Sequence, residues 1–398
     1  MKLYTAKIDS PVVKPIVADD MILTKDLPTA AGSRMLDGYM SLFEAEALTR
    51  LQNAGYSLCG KADVGEFAFD LMGETSYNGA CVKDGALVCA SAEIVGSGDA
   101  LAALTLDVNG SVRRAAAQSG LISLKPTYGT VSRFGTIPVA CSGETVSLLA
   151  SSTETCRTLL SVIAGHDDKD GTSLPEELCR KVTEDGTPVR RVAVLSSMTQ
   201  GISPEISAKM DAAIALFREN GVEVCDVADE VIDASRIAWN TLMCAELCNN
   251  VSRYDGVKYG YRAEQFTGID ELYTTSRTEA FGELLKTAIL FGSETLSTEN
   301  YQKVYDKALR VRRVVKEAFD AIFADYDAVL LPAVSTASYT EAEIRTNPAR
   351  VFEENFYTAP ASITGLPAVV AGGVQLMGRA FSEQALLSLA ALFEKEGN

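Results

Sequence analysis

Apolar residues recur every three or four positions between Ser203 and residue 221, which predicts a helix with one buried face. Serine at the N-cap followed by Pro204 favours a helix start at this point. The short apolar runs 191–195 and 222–227 flank the helix and predict strands. A strand–helix–strand order of this kind predicts that the two strands pair in parallel within an α/β protein.

The same patterns predict elements throughout the chain. Further helices are predicted at 44–53, 90–96, 112–119, 300–324 and 382–394. Further strands are predicted at 12–17, 57–60, 101–107, 328–331, 368–371 and 374–376. Lys14 and Pro15 interrupt the first of these strands, which is typical of a sheet edge. The apolar stripe of helix 300–324 consists of Val304, Leu309, Val311, Val315, Phe319 and Ile322. Because no linker or repeat divides the chain, we predict one domain over residues 1–398.

Composition narrows the functional classes. The net charge of −17 repels phosphate backbones, so we expect no direct nucleic-acid binding. The N-terminus has no signal-peptide core and no apolar run reaches about 18 residues, so a cytoplasmic protein without a membrane span is predicted. Nine cysteines and one histidine show no zinc-ligand spacing, so we predict reduced thiols, no metal and no cofactor.

A candidate for chemistry lies at Asn109-Gly110-Ser111, between strand 101–107 and helix 112–119. Glycine permits a sharp turn, and the following helix directs amide N–H groups at that turn, where negative charge is stabilised. Serine caps helices generally, so the local pattern leaves capping and catalysis both open.

The histidine, His166, lies in a polar loop, and the chain has no G-x-S-x-G motif to support a serine–histidine triad. A surface or capping role is therefore predicted for His166.

Seven long motifs resemble those of the amidase-signature family, and within it the A subunits of glutamyl-tRNA(Gln) amidotransferases. They are GKADVGEFA at 60–68, LKPTYGTVSRFG at 124–135, VIAGHDDKDGTS at 162–173, SRYDGVKYGYR at 252–262, VYDKALRVRR at 304–313, YTAPASITGLPAV at 357–369 and GVQLMG at 373–378. The resemblance implies an amidase-signature fold: a large mixed central sheet covered by helices on both faces. The family's N-terminal helices are expected to be truncated.

The family uses a Ser–cis-Ser–Lys triad, in which a neutral lysine draws the nucleophile's proton through the middle serine. The resemblance places the nucleophile at Ser111, because the family's DTGGSIRQPA falls on 107–116. It places the oxyanion-hole backbone at Val108, Asn109 and Gly110, where Asn109 replaces a glycine.

The same comparison implies that the other two triad members are lost. The family's PIAVKDNI falls on 15–22, so Asp19 stands at the lysine position. Counting back from the nucleophile places Leu87 at the cis-serine position. An aspartate side chain ends roughly 3–4 Å short of a lysine amine. Lys25 and Lys61 are the alternative bases, but both match lysines that the family carries in addition to its catalytic one.

Other departures affect the substrate pocket. The family aspartate that is thought to hold the substrate's amino group becomes Asn355, and an arginine pair becomes Thr287-Ala288. A glutamine-specific pocket is therefore not expected.

Three functional hypotheses follow. The first is a family member whose amide hydrolysis is lost or strongly impaired, acting as a scaffold or binding protein for a small amide ligand. The second is an active amidase or glutamine amidotransferase subunit that uses Ser111 with a non-standard base. The third is a pure interaction protein that binds amidotransferase B- or C-type subunits, with 252–262 as a retained polar and aromatic motif.

Overall fold

The computed structural model describes residues 2–8, 12–184, 186–228 and 230–396. Within them, eleven strands form one mixed sheet: β1 (Tyr4–Lys7), β2 (Pro15–Asp19), β3 (Ser57–Ala62), β6 (Ala102–Asp107), β7 (Ile122–Lys125), β8 (Thr145–Ala150), β9 (Arg191–Leu195), β10 (Glu223–Val227), β11 (Ala328–Pro332), β12 (Ala368–Ala371) and β13 (Val374–Gly378). Two further strands, β4 (Val82–Lys83) and β5 (Ala86–Leu87), form a separate hairpin. The spatial order in the large sheet is β1-β3-β2-β6-β8-β7-β12-β13-β11-β9-β10.

Helices cover both faces of this sheet. They are α1 (Glu46–Asn53), α2 (Ala90–Gly96), α3 (Ser111–Ser119), α4 (Thr153–Ile163), α5 (Glu176–Arg180), α6 (Pro204–Glu219), α7 (Ala234–Val251), α8 (Ile269–Ala280), α9 (Glu283–Thr295), α10 (Asp306–Asp325), α11 (Glu341–Thr346), α12 (Arg350–Thr364) and α13 (Glu383–Glu396). On one face α3 packs over β6, β7 and β12 and is bonded to α12; on the other, α4 and α13 pack together. The α/β architecture expected from the motifs is confirmed.

The elements that local patterns predicted lie within a few residues of their predicted bounds, whereas α4, α7, α8, α9 and α12 were not predicted. Helix α2 and strand β9 have the predicted bounds, and β9 pairs in parallel with β10 across α6, as predicted. Ser203 caps α6 by accepting the N–H of Ile206. None of the described helices is long and apolar enough to span a membrane.

The predicted edge strand at 12–17 is wrong. The strand is β2, which begins at Pro15 and lies between β3 and β6. Lys14 has a φ of 47° and turns the chain before the strand begins, so Lys14 lies outside the ladder and Pro15 at its start, where a missing N–H is tolerated. The edge is formed by β1 instead.

The predicted long helix 300–324 is only partly correct. A π-helical turn, Tyr301–Tyr305, precedes α10, and this turn rotates the buried face. The residues of α10 that are buried are Ala308, Val315, Phe319 and Phe323. Leu309, predicted to lie inside, is 40% exposed.

Candidate active site

Ser111 is the first residue of α3 and is 9% exposed, directly after the turn that follows β6. Gly110 adopts a left-handed φ of 84°, and its N–H donates to Asp107 Oδ1 at 3.1 Å. A Cβ added at Gly110 would lie 2.4 Å from the Cβ of Thr358. The turn therefore requires glycine both for its conformation and for the close approach of α12.

A buried ion pair fixes the base of this turn. Arg113 donates to both oxygens of Asp107, with Nε–Oδ2 at 2.7 Å and Nη2–Oδ1 at 3.1 Å. Its remaining N–H groups reach the Thr358 carbonyl, Ser362 and Gln375 at 2.8 to 2.9 Å. Burial alone would raise the pKa of Asp107, but the guanidinium holds it below its usual range.

The oxyanion-hole positions predicted from the motifs are completely buried: Val108 and Asn109 both have 0% exposure. The Asn109 side chain accepts the indole N–H of Trp239 at 3.0 Å and donates to the Phe69 carbonyl at 2.8 Å. Its own carbonyl accepts the Thr358 hydroxyl at 3.0 Å. Asn109 therefore fills and cross-links space that a glycine would leave open.

Asp19 lies at the end of β2 with 4% exposure, and the Ser91 hydroxyl of α2 donates to its carboxylate. Burial raises the pKa of Asp19 to about 7, although the Ser91 hydroxyl and the Leu106 N–H each lower it in part. The raised pKa brings the titration of this carboxyl group towards neutral pH, and the group accepts hydrogen bonds from Ser91 and the Leu106 N–H.

The neighbouring Asp20 forms a buried contact with Lys61, whose Nζ lies 3.3 Å from Asp20 Oδ1. The amine also donates to the Ile22 carbonyl at 2.5 Å and to Thr29 Oγ1 at 2.8 Å. Burial lowers the pKa of Lys61, with the two aspartates opposing this effect. Lys61 is thus held by its own neighbours, while Lys25 lies on the surface.

The structure does not join the three triad positions by hydrogen bonds. Within the described part of the chain, the Asp19 carboxylate is hydrogen-bonded to Ser91 and the Leu106 N–H, and no hydrogen bond joins it to the Ser111 hydroxyl. Leu87 is buried in β5, where its N–H donates to the Tyr339 carbonyl at 2.8 Å. Its side chain lines a cavity of about 160 Å³ together with Ala115 on α3.

The remaining predicted positions have structural partners. Asn355 is buried and its Nδ2 donates to Asn240 Oδ1 at 2.5 Å, while the Thr287 hydroxyl donates to the Glu283 carbonyl. His166 lies on the surface, as predicted, and its Nε2 is 3.0 Å from Asp168. All nine cysteines are unpaired. Among the described residues, no group of three or more His, Cys, Asp or Glu could hold a metal ion.

Sequence reasoning missed two residues that shape the site, Trp239 and Thr358, which contact the turn before Ser111. Ser91 was identified as a retained residue of the family's serine loop, but its contact with Asp19 was not predicted. Trp239 is the single tryptophan of the chain, and Thr358 lies inside the motif at 357–369, so both carried a signal. Neither signal indicated which distant residue would be its partner.

Comparisons with known proteins identify the family of the chain. The profile of the amidase family, described as Amidase, matches residues 14–387. The A subunit of the glutamyl-tRNA(Gln) amidotransferase of Lachnoclostridium phytofermentans is 34% identical over 415 residues, which cover 97% of this chain and 84% of that protein. The corresponding protein of Streptococcus pneumoniae is 33% identical over 399 residues, covering 96% and 82%.

Solved structures share the fold. The crystal structure of the glutamyl-tRNA(Gln) amidotransferase A subunit from Thermotoga maritima matches with a TM-score of 0.81 and 26% identity, covering 99% of this chain and 87% of that chain. The structure of 6-aminohexanoate cyclic dimer hydrolase has a TM-score of 0.80 at 19% identity, over 96% and 84% of the chains.

Proposed function

Since this chain belongs to the amidase family, we propose that it is a relative of the amidotransferase A subunits whose amide hydrolysis is lost or strongly impaired. In this proposal Ser111 keeps the nucleophile position, and Val108, Asn109 and Gly110 keep the oxyanion-hole positions. Asp19 and Leu87 occupy the lysine and cis-serine positions. The protein then acts as a scaffold or binding protein.

The observation that carries the proposal is the environment of the base position. The carboxylate of Asp19 accepts its hydrogen bonds from Ser91 and the Leu106 N–H, not from Ser111. A serine hydroxyl without a positioned base is a poor nucleophile. In serine hydrolases, removing essential triad members lowers turnover by about 10⁴- to 10⁶-fold, and removing a second adds little.

The buried side chains around the turn at 108–110 also support the proposed loss of hydrolysis. An oxyanion hole needs backbone N–H groups about 3 Å from the place where the substrate's oxyanion forms. Here Asn109 is tied to Trp239 and Phe69, and Thr358 lies against Gly110. The Gly110 N–H already donates to Asp107 Oδ1 at 3.1 Å, so it is not free to bind an oxyanion in this conformation.

One observation favours the second candidate, an active amidase or amidotransferase subunit. The pKa of Asp19, about 7, is near the value that suits a general base at neutral pH. Ser91 already donates its hydroxyl proton to this carboxylate, so a hydroxyl and a base are in contact. Activity would require that Ser111 be linked to this pair in the substrate complex.

Partners of the scaffold are proposed from the relatives. Subunits of the amidotransferase B or C type are the proposed protein partners, and a small amide is the proposed ligand. The net charge of −17 favours a basic contact surface on a protein partner.

Hydrolysis of glutamine, asparagine and simple amides tests the proposal, with ammonia release measured for the wild type, Ser111→Ala and Asp19→Asn. We expect no difference between the wild type and either folded variant above the buffer rate. Activity that is lost in both variants would establish the second candidate, with Asp19 as its base. Activity lost in Ser111→Ala alone would also refute the loss of catalysis, but with a different base.

A further inference from the structure

A cavity of about 450 Å³ opens on the surface between α7, α9 and α12. Its walls are mainly apolar: Ile237, Phe291 and Phe352 supply the largest side chains. Ile237 is 65% exposed and Phe291 is 47% exposed, so water now covers apolar surface that a ligand would bury. This volume and lining are those of a small-molecule pocket, which is typically about 300 to 1,000 Å³ and mostly apolar with few polar groups.

The two charged residues that line the cavity, Arg236 and Glu353, differ in whether they already have a partner. Arg236 is half-buried, and its guanidinium makes no ion pair or hydrogen bond with any residue that the structure describes. Glu353, the acidic residue of the lining, is engaged by Arg350 at 3.2 Å and by Asn347 at 3.4 Å. Among the described residues the cavity therefore offers a planar cation that no carboxylate engages, which suits a carboxylate ligand.

The cavity is separated from Ser111 by buried side chains. Trp239, on the neighbouring face of α7, is turned inwards to Asn109. Asn240 lines the cavity, but its Oδ1 accepts from Asn355 and its Nδ2 donates to the Phe352 carbonyl at 3.0 Å. Ser111 is not part of the lining, although Thr287, at a position where the motifs place a substrate-pocket arginine, is. A ligand in this cavity would not need the hydrolytic machinery.

We infer that this cavity binds a small carboxylate with an apolar or aromatic body, its carboxylate paired with Arg236 and its body between Phe291 and Phe352. A ligand of about 10 to 20 non-hydrogen atoms suits a cavity of this class. A half-buried arginine that no described residue engages favours an anion over a neutral amide, and it disfavours an amine. This inference goes beyond the proposed function and holds whether or not Ser111 reacts.

Calorimetric titration of the full chain with 3-phenylpropionate, 3-phenylpropionamide and 3-phenylpropylamine tests the inference. We expect the carboxylate to bind at least about tenfold more tightly than the amide, and the amine not to bind, because Arg236 attracts only the first. Arg236→Gln should remove the preference for the carboxylate. Ala349→Trp, at an exposed position of the lining, should block all three probes by filling the cavity.

Matched controls keep the result unambiguous. Arg190→Gln removes an exposed arginine in the segment before β9 and should leave binding unchanged. Ser111→Ala should also leave it unchanged, so failure of the hydrolysis proposal and failure of this one are distinguishable. Absence of carboxylate binding to the wild type, equal affinity for the amide, or undiminished binding to folded Arg236→Gln would each overturn the inference.

Discussion

The side-chain oxygen of Asn109 accepts a hydrogen bond of 3.0 Å from the indole nitrogen of Trp239, and both side chains are completely buried. This bond joins the turn before Ser111 to α7, across 130 positions of the chain. The indole also packs against Gly143, where a Cβ would lie 2.3 Å from the ring. The turn before Ser111 is therefore part of the core on this side.

Asn109→Gly should destabilise the protein by about 2 to 4 kcal/mol, because it leaves the Trp239 N–H and the Phe69 carbonyl without partners in a dry site. Trp239→Phe should cost a similar amount, since it removes the donor and part of the ring. Chemical unfolding of the two single variants and the double variant measures their coupling, which we expect to be about 1 to 2 kcal/mol. Strictly additive losses would show that the bond contributes nothing.

Gly110→Ala should cost about 3 kcal/mol or more in unfolding free energy, since the left-handed φ penalty is joined by a clash with Thr358. Gly98→Ala is the matched control, because Gly98 has nearly the same φ, 82°, and open space where a Cβ would stand. The control should lose only about 1 kcal/mol. If urea titrations showed equal losses of unfolding free energy for the two variants, α12 would move away from the added methyl group without a loss of stability.

Asp19 should make the protein less stable as pH rises. Its folded pKa of about 7 lies above the ordinary 3.8, so the folded state retains a proton that the unfolded state has lost, and the associated stability disappears as pH rises through the folded pKa. Between pH 5 and pH 8 the titration of Asp19 should lower the unfolding free energy of the wild type by about 2 to 3 kcal/mol.

Asp19→Asn should remove that pH-dependent loss. The difference in unfolding free energy between the variant and the wild type is measured at both pH values, with the exposed Asp211→Asn as control. A difference that does not grow between pH 5 and pH 8 would contradict a raised pKa at Asp19.

The contribution of Lys125 to stability depends on pH in the opposite direction to that of Asp19. It is buried in β7 and its Nζ has no hydrogen-bond partner among the residues described, and burial lowers its pKa to about 7. Because the unfolded amine keeps its proton up to a higher pH, the stability from this group is present above the unfolded pKa and is lost as pH falls towards 7. The wild type should therefore gain about 2 kcal/mol from it between pH 7 and pH 9.

Lys125→Met tests this, since it removes the titrating amine and retains an unbranched chain. Its unfolding free energy should exceed that of the wild type most at pH 7, and the gap should narrow at pH 9. Lys307→Met, at an exposed position, should show no such trend. A pH-independent gap for Lys125→Met would show that its pKa in the folded state is ordinary.

Local signals located the turn at Asn109-Gly110-Ser111 and the β9–α6–β10 unit. Glycine, N-cap serine and helical periodicity act over a few residues, so the sequence displays them directly. The position of β2 could not be obtained in this way. Lys14 and Pro15 are features of the strand's start, whereas its central place depends on pairing with β3 and β6, which are distant in sequence.

In the candidate site, too, the sequence predicted the positions of residues but not their contacts with residues distant in the chain. The motifs aligned Asp19 with the lysine position, but the partner that the carboxyl group adopted, Ser91, lies 72 positions away. The pairing of Asn109 with Trp239 likewise depends on how α7 packs, which no local pattern encodes. The family resemblance therefore gave the positions, while the interactions that these residues form required the structure.

The place of β12 and β13 in the sheet has a consequence for synthesis of the chain. These strands, at residues 368–378, fill the gap between β7, made early, and β11, made late. Until the ribosome has released them, β7 and β11 each present an unpaired backbone edge next to apolar side chains, which is the kind of surface that aggregates. The nascent protein should therefore depend on protection by chaperones until its last strands emerge, and its sheet should close in one late step.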